Sequence, residues 1–157
     1  MFSNETPDFA MENTMQTQTN QDYGAFLLRL SFAVILLAHA SLKIFVFTVP
    51  GTVGYFESIG LPAIAAYLTI LGEIAGGIAI LLGLYTRLAA ILSVPIMMGA
   101  TWAHAGNGWV FSAEGGGWEF PALLTVLAIV VAIQGPGAWA LRKLPVIDAY
   151  IPDALKA

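Results

Sequence analysis

Long apolar runs alternate with short polar or glycine-rich breaks along this chain, and the breaks define its elements. Residues Met1 to about Asp22 are polar, rich in Asn, Thr and Gln with Glu5, Asp8 and Glu12. They lack the basic start and apolar core of a signal peptide and read as a disordered tail. From Gly24 to Phe47 the sequence is nearly continuous Leu, Ile, Val, Phe and Ala, long enough to cross a hydrocarbon layer as a helix. Val49-Pro50-Gly51 breaks this first span, and a loop through Ile59-Gly60-Leu61-Pro62 follows, with a short interfacial helix around Tyr55 to Ile59. A second span runs from about Ala63 to Leu82. After a tight connection at Gly83 to Arg87, a third covers roughly Leu88 to Ala103 with Pro95 inside it, which a membrane bundle tolerates.

The stretch from Gly106 to Trp118 has too many glycines for a helix, and its aromatics suit a loop at the membrane surface. The fourth span starts near Glu119, with Pro121 in the favoured first turn, and ends near Ile133 before Gly135-Pro136-Gly137. It is the shortest, so Ala138 to Leu141 are expected to continue its path after a kink. Arg142 and Lys143 follow, then a weakly amphipathic surface stretch from Val146 to Leu155. The expected fold is all-α: a four-transmembrane-helix bundle over residues 23–141, between a polar tail over 1–22 and a cytoplasmic tail over 142–157.

Composition strengthens the membrane reading. The chain has 157 residues, 58% of them hydrophobic and only 10% charged, where soluble domains carry about 25% charged residues. The net charge of −4 leaves no basic surface for nucleic acid. With no cysteine, a dithiol relay, a thiolate-held iron–sulfur cluster and a cysteine nucleophile are all excluded. Four spans place both termini on one side. Cytoplasmic termini put Arg29, Arg87, Arg142, Lys143 and Lys156 inside and only Lys43 outside, as the positive-inside rule favours.

His39, Lys43 and Glu73 lie within apolar spans, where each charge costs about 2.5 to 3.5 kcal/mol on insertion scales. At 100° per residue, Arg29, Leu36, His39 and Lys43 fall in an arc of about 80°, so they share one face of the first helix. Gly72 and Gly76 form a small-xxx-small pattern that lets another helix approach, with Glu73 expected at that contact. His39 and Glu73 lie about 12 and 15 Å below the outer ends of their helices, so they can be neighbours. His104 and Glu119 are expected at the same outer rim, completing an outward-opening pocket. Each residue also has a structural reading. Lys43 and Glu73 can form an ion pair that only sets helix register, His39 can be a satisfied core histidine, and His104 an interfacial residue. Glu119 suits a helix N-terminus, and Arg29 and Arg87 suit snorkelling anchors. No metal or haem is expected, because the two histidines differ in depth by about two helical turns and Met97 and Met98 suit packing or lipid contact.

The motifs Leu28-Arg29-Leu30 with His39-Ala40-Ser41-Leu42-Lys43, Gly72-Glu73-Ile74-Ala75-Gly76-Gly77 through Arg87, Gly116-Gly117-Trp118-Glu119 and Gly135-Pro136-Gly137 resemble those of the DoxX family of small bacterial inner-membrane proteins, over about Tyr23 to Leu141. The family's frequent Gly-x-Gly-Arg-Tyr-Ser-Leu-Asp ending is replaced here by Gly137-Ala138-Trp139-Ala140-Leu141-Arg142, so roles of that terminal Arg and Asp do not carry over. The resemblance implies a four-helix membrane bundle associated with quinone-linked oxidoreduction or oxidative stress.

Three functions follow as expectations. In the first, His39, Lys43, Glu73, His104 and Glu119 form a ligand site in which a quinone carbonyl is hydrogen-bonded and its proton passed. Trp102 and Trp118 flank the ring, and another membrane or peripheral redox protein supplies electrons. In the second, the chain is a non-catalytic scaffold whose glycine-rich outer loop docks a partner. The third, ranked last, is a small-solute permease, for which four helices are few unless the chain forms a homo-oligomer.

Overall fold

The structure, a computed structural model, describes residues 7–141 and 148–156. Helix α1 (Pro7–Ser41) passes directly into a π-helical turn, Leu42–Val46. Helix α2 (Val49–Ser58) folds back beside that turn, and the bundle continues with α3 (Ala63–Leu82), α4 (Thr86–His104) and α5 (Glu119–Gln134). A 3-10 turn at Asp148–Tyr150 and a short α6 (Asp153–Lys156) follow, α6 returning against α4. Arg142 and Lys143 lie outside the described residues, as does Val146 at the start of the expected surface stretch.

Two of the expected breaks differ. The polar stretch read as a disordered tail is helical from Pro7 onward; proline suits a first helical turn, and no glycine or proline interrupts the run before Gly24. Val49-Pro50-Gly51 starts α2 rather than merely ending the first span. The chain reverses at Thr48, whose φ is 63°, and its hydroxyl caps the new helix by accepting from Gly51 N at 3.3 Å.

Three helices are long and apolar enough to cross a membrane: Asn20–Val46, Ala63–Leu82 and Thr86–Asn107. The fourth, α5, is apolar but shorter, about 24 Å at helical rise against a core of about 30 Å. Its path is not prolonged by a kinked helix. Ala138 to Leu141 instead run across the end of the bundle, Ala138 N donating to Asp22 O at 3.0 Å and Leu141 N to Leu82 O at 3.1 Å.

The helices form a ring in which α1 packs on α3 and α5, and α4 packs on the same two. Phe32, Leu36, Ile80, Met97, Leu124 and Val131 fill the centre among alanines, while Leu68, Leu71, Leu92 and Ile133 remain exposed on the outside. An apolar exterior around a core in which alanines let the helices approach is the arrangement a lipid solvent selects. The glycines of α3 divide between neighbours. A Cβ on Gly72 or Gly76 would meet Ile96 Cδ1 at 2.5 Å or Ser93 Oγ at 3.2 Å on α4, whereas one on Gly77 would meet Leu37 on α1 at 2.8 Å. The expected placement of Glu73 at the Gly72/Gly76 contact therefore shifts. One residue is 100° of helix, and Glu73 shares the α1-facing side with Gly77.

Candidate functional site

The two ends of the bundle carry different chemistry, and both involve residues from α1. At the loop end, the Lys43 ammonium lies 2.7 and 2.9 Å from the two Glu73 carboxylate oxygens. Glu73 is 3% exposed and Lys43 17%, so the pair is accessible only from the Lys43 side. Lys43 belongs to the π turn, a feature frequent at functional sites. Its carbonyl accepts from the buried Thr52 hydroxyl of α2 at 3.1 Å, which fastens α2 over the turn.

His39, one helical turn before Lys43, is half-buried, with its ring nearly parallel to Phe120 of α5 at 6.2 Å between centroids. It lies within electrostatic reach of both Lys43 and His104. His39 thus stands beside the ion pair and toward α5, linking the pair to the loop that precedes that helix.

That loop is tightly folded. His104, the last residue of α4, sets Nδ1 at 3.1 and 3.0 Å from the carbonyls of Gly115 and Gly116, and Asn107 Nδ2 donates to the same two oxygens at 2.9 and 3.0 Å. The two glycines have φ of 78° and 76°, a conformation that favours glycine and brings two consecutive carbonyls onto the same donors. Gly117 packs on the Val110 and Trp109 carbonyls, leaving no room for a side chain. Trp109 and Trp118 meet edge to face at 4.4 Å, and Glu119 Oε1 accepts from Phe111 N at 2.8 Å. Glu119 therefore acts as a loop clamp at the start of α5.

Trp102 and Trp118 do come together, in a place of their own. They line an open groove of about 430 Å³ between α4 and α5, with Met98, Thr101, Ala105, Ala122 and Thr125. None of His39, Lys43 and Glu73 lines it. Its hydroxyls are engaged internally: Thr101 Oγ1 donates to Met97 O at 2.9 Å, and Thr125 Oγ1 to Pro121 O at 3.0 Å.

At the opposite, turn end stands Arg29, expected as a snorkelling anchor and found 1% exposed. Its Nη1 donates to Ile80 O at 3.0 Å and Leu81 O at 2.8 Å, and its Nη2 to Ala138 O at 3.0 Å and Trp139 O at 3.3 Å. The guanidinium sits 5.2 Å from the Phe26 ring centroid. It satisfies the last-turn carbonyls of α3, where the helix dipole favours a cation, and ties the Ala138–Trp139 segment to them. Charge alone suggests a membrane-surface position for Arg29; its backbone acceptors leave no trace in a side-chain pattern. Arg87 is half-buried near the start of α4. Among the described residues, no group of three or more His, Cys, Asp or Glu is arranged to hold a metal ion.

The DoxX family model matches residues 24–106. CatD of Bacillus subtilis (strain 168), named provisionally as an oxidoreductase, is 31% identical over 114 residues, covering 73% of this chain and 81% of that protein. The inner membrane protein YqjF of Escherichia coli (strain K12) is 29% identical over 126 residues, covering 79% and 93%. An uncharacterized protein of Haemophilus influenzae Rd is 34% identical over 121 residues, covering 76% and 88%. No solved structure matches the chain. The apolar helices mark a multi-pass membrane protein, and a family match spanning more than half of the sequence, with relatives aligned along most of their own length, makes it a member of the DoxX family.

Proposed function

We propose that this DoxX protein is a quinone-interacting component of a membrane oxidoreductase or oxidative-stress system. The observation that carries the reading is the half-buried His39 ring beside a Lys43–Glu73 pair at the loop end of an otherwise apolar bundle. Ionisable residues in a membrane interior mark proton or ligand paths by default. Lys43 and His39 offer donors to a quinone carbonyl, and histidine passes protons near neutral pH. The groove between Trp102 and Trp118, apolar and without free hydroxyls, suits the hydrocarbon part of such a ligand rather than its head. The provisional oxidoreductase name of CatD favours the same class. Electrons come from a partner protein, membrane-bound or peripheral. YqjF's name and the distribution of Arg87, Arg142, Lys143 and Lys156 against Lys43 favour a bacterial inner membrane with cytoplasmic termini.

The test is purification with native lipid and identification of bound quinone and partner proteins. Quinone in the wild-type sample is expected, and Glu73→Gln is expected to slow quinone reduction by the assembled complex. An absence of quinone together with unchanged activity in the variant rejects the proposal. A second reading, a non-catalytic scaffold, is favoured by the way Lys43 and Glu73 satisfy one another without a ligand. A stable crosslinked complex that keeps its function in Glu73→Gln selects it.

A further inference from the structure

Helix α2 rests on the two elements that carry the ion pair, the π turn with Lys43 and α3 with Glu73. The pair is open only at Lys43, so α2 borders its one approach. Yet α2 is lightly held. Thr52 is its only buried residue, while Pro50, Gly51, Gly54, Tyr55, Glu57 and Ser58 are exposed. A helix of ten residues depends on packing for its stability, and a segment with so few buried contacts belongs to the low end of local stability. Both of its flanks have left-handed backbone, Thr48 with φ 63° before it and Gly60 with φ 85° after it. A few such positions at the ends of an element can absorb the rotation of a rigid segment.

The bond that holds α2 down is made to the pair itself. Phe47 N closes the π turn on Leu42 O at 2.9 Å, and the chain then reverses, so the Lys43 carbonyl takes its donor from α2, the Thr52 hydroxyl at 3.1 Å. Lifting α2 therefore uncovers the turn and removes the donor from the residue that binds Glu73. We infer that α2 is a lid over the Lys43–Glu73 pair, hinged at Thr48 and Gly60 and latched by Thr52, that opens to admit a ligand. The inference rests on the reading of this pair as a quinone site and adds to it the control of access.

The test uses the full chain in lipid nanodiscs. The sequence has no cysteine, so spin labels at Gly54→Cys on α2 and Gly106→Cys beyond α4 report one distance, and a Cβ at either glycine meets no atom within 4 Å. Double electron–electron resonance is expected to show a docked and a lifted population. Thr52→Val is expected to raise the lifted one roughly fivefold, about the worth of one hydrogen bond, and Thr52→Ser, which keeps the hydroxyl, to leave it as in wild type. Access is read without quinone from acetylation of Lys43 by acetic anhydride in the cysteine-free chain, expected to be about fivefold faster in Thr52→Val. Decylubiquinone association is expected to rise by the same factor, because only the open fraction binds. A single distance with and without Thr52→Val, or acetylation that the variant leaves unchanged, overturns the lid and leaves the quinone reading standing. Faster acetylation with an unchanged rate of decylubiquinone association also overturns the lid as a gate for the ligand. Faster acetylation with no decylubiquinone binding in any variant overturns the quinone reading and supports a lid over the pair. If Thr52→Val fails to fold, a single docked distance in the labelled chain overturns the lid and a second distance supports it.

Discussion

Arg29 of α1 and Lys43 of the π turn that continues it are both cations inside an apolar bundle, and they are neutralised in opposite ways. Arg29 has no carboxylate partner among the described residues; its fork is spent on four backbone carbonyls from two segments. Lys43 meets one carboxylate through both of its oxygens and stays partly open. A planar guanidinium can serve several acceptors at fixed angles, whereas an ammonium is a compact point charge. The consequence is functional. Backbone carbonyls cannot be titrated or removed, so the Arg29 end is a fixed joint. A lysine–glutamate pair can exchange a proton or yield to a ligand, so the Lys43 end can respond.

Breaking the joint should have the largest effect. Arg29→Leu leaves the Ile80, Leu81, Ala138 and Trp139 carbonyls short of donors at the end of α3, at a cost of about 3–5 kcal/mol. Arg29→Lys is expected to recover only a small part of it, because one ammonium cannot reach both segments in the same geometry. Denaturant unfolding in detergent micelles measures both. A lysine variant as stable as wild type would show that charge alone, and not the fork, holds this end.

At the other end, the informative quantity is a difference between variants. Lys43→Met strands a buried carboxylate and Glu73→Gln strands a mostly buried ammonium, each expected to cost about 2–3 kcal/mol, less than for a fully buried pair because Lys43 is partly exposed. The double variant is expected to be more stable than either single one, since no unpaired charge remains. Quinone binding by that double variant separates the roles. Restored stability with lost binding makes the pair a working site, and restored stability with retained binding makes it a register lock.

Why the pairing at one end could be read from the sequence and the joint at the other could not follows from the same contrast. A charge in an apolar span needs a partner, and Lys43 and Glu73 are the complementary side chains at matching depth. Span boundaries were equally legible, Ala63–Leu82 coinciding with α3, because apolar runs and Gly83 mark them. Arg29's acceptors are carbonyls that every residue possesses, so only the fold could reveal which ones it meets. The π turn at Leu42–Val46 likewise has no composition of its own. Trp102 and Trp118, expected beside the ion pair, line a groove between α4 and α5 that none of His39, Lys43 and Glu73 lines, because the rotation of the helices is not set by residue type.

A smaller perturbation probes the joint without touching the guanidinium. Gly83 ends α3 with φ 70°, and a Cβ there would meet Ala140 Cβ and Arg29 Nη1, each at 2.6 Å. Gly83→Ala therefore combines a left-handed alanine with displacement of Arg29, for about 2 kcal/mol. Its unfolding midpoint should fall while binding at the loop end is unchanged. A variant that loses binding as well would show that the two ends are coupled through α1 rather than independent.

The smallest effect expected is also the one that asks whether the responsive end depends on its π turn. Thr52 is buried on α2, and its hydroxyl donates to the Lys43 carbonyl at 3.1 Å. Thr52→Val keeps the shape and removes the donor, leaving that carbonyl without the hydroxyl, at about 1 kcal/mol. If the π turn aims Lys43 at Glu73 only with this support, relaxation of the turn moves the ammonium away from the carboxylate. Nitrogen-15 NMR of the Lys43 ammonium should then shift toward its position in Glu73→Gln. An ammonium signal identical to wild type, with the modest stability loss present, would assign Thr52 to docking α2 and leave the aim of Lys43 to α1 and α3 alone.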